Sequence, residues 1–171
     1  MQRPTDTEYA PFYAGYVALV PESDILAVLA PQVEEIRRFL APVSAEKETY
    51  RYAEGKWSIR QVLGHLVDGE RIFGYRAFCI SRGEPAALPS FDENQYVARA
   101  RSDGVPLREL VDELALVRQA NLAVLRRLDA REWAMVGTAS GKPVSVRALA
   151  WVMAGHPRHH LQVLRERYGV S

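Results

Sequence analysis

Apolar residues recur at helical spacing through most of this chain, with polar residues on the opposite faces. After Ser58, the residues Ile59, Val62, Leu66, Phe73, Ala77 and Ile80 make one stripe. Ser58-Ile59-Arg60-Gln61 has the Ser-x-x-Gln form of a capping box, so a helix is predicted from Ser58 to about 82, stopping at Gly83. A second helix is predicted over 22–40, with Pro31 expected to kink or split it. A third starts with Pro106 at its first position and runs to about Leu128, carried by Leu107, Leu110, Leu114, Val117, Leu122 and Leu125. The fourth runs over 145–168, with Ser145 as N-cap and Gly169 just past its end.

The remaining segments read as connections. Residues 1–20 are aromatic and irregular and are expected to drape over the bundle. A short helix is expected near Asp92–Ala100, and a turn or small hairpin at Gly137–Pro143. No stretch is rich in strands or repeats. The expected fold is a single all-α domain over 1–171, a four-helix bundle.

On the last helix, His156 and His160 fall near the middle of the apolar stripe of Leu149, Met153, Val163 and Leu164, at about 100° per residue. Residues four apart point the same way, close enough to share one ion. Buried imidazoles need partners for both ring nitrogens, and a divalent metal satisfies a stacked pair where hydrogen bonds alone do not. His65, two turns into the Ser58 helix on the shoulder of its stripe, is the candidate third ligand. By itself it reads more readily as a hydrogen-bonded core histidine. Three imidazoles with an open position describe a catalytic site more than a structural one. His159 turns toward the flank and is expected to support the ligands or lie partly exposed. Cys79 lies roughly 21 Å along the helix from His65, too far to join them.

Composition narrows the function classes. The chain has 171 residues and one cysteine, with 22 Lys+Arg against 21 Asp+Glu for a net charge of +1. That balance gives no pull toward nucleic acid or an anionic membrane, and no apolar run reaches the ~20 residues of a span. The start, Met1-Gln2-Arg3-Pro4-Thr5-Asp6, carries no signal-peptide pattern, and a lone cysteine fits a reducing compartment. A cytoplasmic protein acting on a small molecule is the expectation.

The segment from Lys56 to Asp68, KWSIRQVLGHLVD, resembles the W-[S/T]-x-x-Q-V-x-x-H-L-x-D signature of the DinB/YfiT-like superfamily. His156-Pro157-Arg158-His159-His160-Leu161 resembles its H-x-x-H-H-L motif, and Pro89-Ser90-Phe91-Asp92-Glu93 its P-x-[F/Y]-D-E stretch. The likeness covers about residues 20–169. It implies a four-helix bundle, frequent homodimers and three metal-binding histidines, matching His65, His156 and His160. Members include transferases of low-molecular-weight thiols (bacillithiol S-transferases, mycothiol-dependent maleylpyruvate isomerases), and many others are assigned only as metal-dependent hydrolases. Pro157, between the two ligands of the last helix, departs from the pattern and is expected to kink that helix.

Weaker candidates surround this site. Asp68 is a candidate to orient an imidazole or accept a proton, against the simpler reading of a solvated carboxylate. Arg76 is a candidate for a substrate carboxylate, against a surface ion pair. Gly69 makes room for substrate or for a neighbouring helix. Trp57 reads as a core anchor. Three functions follow: transfer of a thiol to an electrophile, hydrolysis by metal-activated water, and a non-enzymatic metal-binding stress protein. Neutral imidazoles suit zinc or nickel.

Overall fold

Local signals at the helix ends are used much as written. The computed structural model describes residues 2–171. Its elements are two 3-10 turns (Asp6–Glu8, Pro11–Tyr13), α1 (Ala14–Ala18), α2 (Ile25–Leu40), α3 (Ile59–Ser81), α4 (Glu93–Ala100), a 3-10 turn (Ser102–Gly104), α5 (Leu107–Leu125), α6 (Ala130–Ala134), β1 (Val136–Ala139), β2 (Lys142–Ser145) and α7 (Val146–Tyr168). The Ser58 hydroxyl accepts from the Gln61 amide while the Gln61 side chain accepts from the Ser58 amide, closing the capping box. Ser145 caps α7 through the Ala148 amide, and Gly169 ends it at φ 62°. α2 starts at Ile25, capped by Asp24, rather than at 22. α5 stops at Leu125, short of Leu128.

The long helices α2, α3, α5 and α7 form the bundle, with α3 packed on both α5 and α7. Their apolar core is in two parts. One gathers Leu29, Phe73, Leu122, Leu149 and Trp151; the other gathers Ile36, Leu63, Leu66, Leu114 and Leu164. Each long helix contributes to both parts and carries a buried polar residue between them: Gln32, Glu70, Arg118 and His156. The site lies in this polar belt.

Both internal prolines are absorbed without breaking their helices. Pro157 has no N–H for the Met153 carbonyl, and Arg118 Nη2 donates to that carbonyl instead at 3.1 Å. The kink expected to separate His156 from His160 is therefore not needed to satisfy the backbone.

The N-terminal segment lies over the bundle, with α1 against α7. Gly155 permits this approach, since a Cβ there would overlap the Tyr16 carbonyl. The expected hairpin is present: β1 and β2 pair antiparallel, with Ala139 opposite Lys142, through a two-residue turn at Ser140 (φ 53°) and Gly141 (φ 71°). Leu88 in the long connection donates its amide to the Thr138 carbonyl and accepts from the Ser140 amide, which ties that loop to the hairpin. Among the described residues, no helix is long and apolar enough to cross a membrane.

Candidate metal centre

The belt brings His65 of α3 onto His156 and His160 of α7. Ring centroids are 4.7 to 4.8 Å apart for all three pairs. His65 Nε2 and His156 Nε2 are 2.8 Å apart, and one potential ligand atom from each ring lies within 4.8 Å of the others. A tetrahedral ion with Zn–N bonds of ~2.1 Å would set its ligand atoms about 3.4 Å apart. That value lies inside the observed range, so small ring rotations suffice. His160 Nε2 is buried and has no hydrogen-bond partner among the described residues. A buried lone nitrogen beside two other imidazoles is the donor set a divalent ion would complete. The three histidines thus form a group able to hold a metal ion. Gly69 makes room for the His156 ring, not for substrate: a Cβ at Gly69 would lie 2.7 Å from His156 Cε1.

Burial keeps these imidazoles neutral, with lone pairs available. It lowers His65 from 6.5 to about 4 and His160 to about 3, and holds His156 well below the ordinary value, with neighbouring imidazoles adding to each shift. In the unfolded chain a histidine titrates near 6.5, so below that pH the unfolded state binds protons the folded state refuses. Stability of metal-free protein is complete above about 6.5 and lost as pH falls toward 4 and then 3. Between about pH 7 and pH 5 the unfolding free energy should drop by about 2 kcal/mol for each neutral histidine, roughly 5–6 kcal/mol for the three. Urea titration of metal-free protein at the two pH values measures this, and an unchanged midpoint would exclude neutral buried imidazoles.

The weaker candidates separate in the structure. Asp68 is half-buried and, among the described residues, makes no hydrogen bond to any of the three histidines; burial raises its pKa while Arg71 opposes the rise. Arg76 is not in a surface ion pair. It is 1% exposed and donates to the Tyr13 hydroxyl, the Pro89 carbonyl and the Ser140 hydroxyl. His159 is partly exposed, its ring 5.1 Å from that of His160 and 5.4 Å from Tyr16. Trp57 is half-buried against His65 at 4.9 Å and faces a cavity, a more site-directed place than a core anchor. Cys79 is buried on α3 and outside the histidine group.

Sequence reasoning passed over three residues. Tyr16 packs edge-on to His156 at 5.3 Å. Glu93 lines cavities on both sides of the histidines. Arg118 is buried with Glu70 behind α7. The P-x-[F/Y]-D-E stretch was a signal for Glu93, whereas no local pattern marks the other two.

Residues 31–164 match the sequence pattern of the DinB superfamily. The chain belongs to the DinB superfamily. Among solved structures, YfiT from Bacillus subtilis matches 96% of this chain and 95% of its own at a TM-score of 0.77 and 18% identity. YfiT is described as "a probable metal-dependent hydrolase with an unusual four-helix bundle topology". At that identity the likeness establishes the shared DinB fold. Comparison with curated proteins gives no match.

Proposed function

We propose that this DinB-superfamily protein is a cytoplasmic, divalent-metal-dependent enzyme that joins a low-molecular-weight thiol to a small electrophile. His65, His156 and His160 would hold the ion, with zinc and nickel both suited to neutral nitrogen donors. The observation that carries this reading is the pair of cavities meeting at the histidines. One, of about 340 Å³, is lined by Tyr52, Lys56, Trp57, His159 and His160. The other, of about 260 Å³, is lined by Tyr13, Tyr16, Phe73, His65 and His156. Hydrolysis needs one organic reactant and water, whereas transfer needs two organic reactants held together.

A divalent ion on three neutral imidazoles keeps its charge uncancelled and lowers the pKa of a bound thiol. The chain itself supplies neutral ligands, aromatic wall residues, and Glu93 lining both cavities. Cys79 is buried roughly 21 Å along α3 from His65, so the sulfur comes from a separate molecule. The homodimer belongs to this reading through the family resemblance.

Metal-loaded protein mixed with a thiol and a chromogenic electrophile should form the thioether, and His65→Ala should slow it at least about 100-fold. Equal rates for the two proteins would refute the transferase. Hydrolysis is the second reading, supported by the description of YfiT. Turnover of an ester or amide without thiol would establish it in place of transfer. Metal binding with neither activity would leave a non-enzymatic metal-binding protein.

A further inference from the structure

Two arginines are fully buried, and their surroundings differ. Arg118 is paired with Glu70 through two hydrogen bonds of 2.8 Å. Among the described residues, Arg76 donates to neutral acceptors alone: the Tyr13 hydroxyl at 3.1 Å, the Pro89 carbonyl at 2.7 Å and the Ser140 hydroxyl at 2.9 Å. A buried cation without a counter-charge carries a large desolvation cost. The remedy is an anion, and the adjoining cavity is built to take one.

Tyr13 and Ser140 both line the cavity of about 260 Å³ that reaches His65 and His156. Each hydroxyl oxygen already accepts from Arg76, so its own hydrogen remains to be donated. Among the described residues neither hydrogen has an acceptor. Burial raises the Tyr13 pKa, which keeps the phenol a donor. The guanidinium behind them polarises both O–H bonds and strengthens each as a donor to an anion.

Ser140 adds an independent sign. It holds φ 53° at the first position of a two-residue hairpin turn, where Asn or Gly is preferred and serine is strained. The strain places its hydroxyl on Arg76. Glu93 is the carboxylate lining this cavity, and it is exposed and water-screened, so the buried Arg76 dominates the field felt inside. The rest of the wall is aromatic: Phe12, Phe73 and Phe91, the last 5.9 Å from the Arg76 guanidinium.

We infer that this cavity binds a small, apolar or aryl carboxylate. Its carboxylate is held by the Tyr13 and Ser140 hydroxyls with Arg76 behind them, and its reactive end faces His65 and His156. The inference rests on the proposed metal-dependent reaction for the role of that ligand as the electrophilic substrate; the binding site itself does not.

The test is a titration of isotope-labelled full-length protein with phenylacetate and with its neutral amide, phenylacetamide, followed by NMR with and without zinc. The Arg76 Nε–H signal, identified by its loss in Arg76→Lys, should move with the acid and not with the amide. Arg76→Met removes three hydrogen bonds and risks the fold, so Ser140→Gly is the deciding variant. Glycine relieves the positive φ but removes one acceptor from Arg76, so thermal stability should change little, while phenylacetate binding weakens roughly tenfold. Equal responses to acid and amide, no response of Arg76, or unchanged affinity in Ser140→Gly would each overturn the inference. Binding seen only with zinc and insensitive to Ser140→Gly would put the carboxylate on the ion and overturn it too. An intact Arg76 response in a protein that neither binds metal nor transfers thiol would sink the proposed function and leave the carboxylate site standing.

Discussion

Replacing His160 with Ala should abolish binding of a divalent ion, whereas His159→Ala should keep affinity within about tenfold. His160 is the histidine whose Nε2 is buried without a partner, and its ring lies 4.7 Å from His156 and 4.8 Å from His65. Removing it leaves two imidazoles that hydrogen-bond to each other at 2.8 Å. Such a pair satisfies itself and has little to gain from an ion. His159 is partly exposed and outside the group of three. Calorimetric titration with zinc and nickel, together with metal content after gel filtration, measures the difference. The metal-free variant should keep its helical circular dichroism, because the alanine discards an unsatisfied nitrogen rather than a formed hydrogen bond. Similar affinities for the two variants would remove His160 from the site.

Arg118→Met should cost about 3–5 kcal/mol of stability, the usual penalty for leaving one member of a buried ion pair alone. Arg118 uses all five of its N–H donors: two on Glu70, two on the Leu29 carbonyl and the Gln32 side chain, and one on the Met153 carbonyl that Pro157 leaves free. Asn121 also donates to Glu70, and Gln32 donates to the Ala154 carbonyl. One cation therefore joins α2, α3, α5 and α7 at the level of the histidines. The variant strands the Glu70 carboxylate and exposes the weak point in α7 next to His156, so metal affinity should fall with stability. Urea unfolding measures the loss. The double variant Glu70→Leu/Arg118→Met should recover most of the stability, since a well-filled apolar substitute costs far less than a lone buried charge. A single-variant loss below about 1 kcal/mol would mean that the belt is not a stabilising unit.

Helix starts, helix faces and the spacing of the ligand pair could be read directly from the chain. The Ser58–Gln61 box, the Ser145 cap and the Gly169 stop each involve groups within a few residues, so their geometry is set locally. The same holds for His156 and His160, which any α-helix places one turn apart on one face. Helix spacing also gave the bundle and His65 as a candidate third ligand, and the DinB resemblance strengthened both. Pattern reading also assigned a surface pair to Arg76 and left the Met153 carbonyl opposite Pro157 without a partner, and the structure answers both from a distance. What becomes of a freed carbonyl or a side-chain charge depends on partners far along the chain. Met153 is satisfied by Arg118, 35 residues away, and Arg76 by Tyr13 and Ser140, 63 and 64 away. Periodicity and caps report energies of neighbouring residues, so the sequence by itself determined the helices, the buried stripe and the histidine pair. Burial, charge compensation and cavity shape arise only when α2, α3, α5 and α7 pack and the N-terminal segment lies down on Gly155, and these the tertiary structure decided.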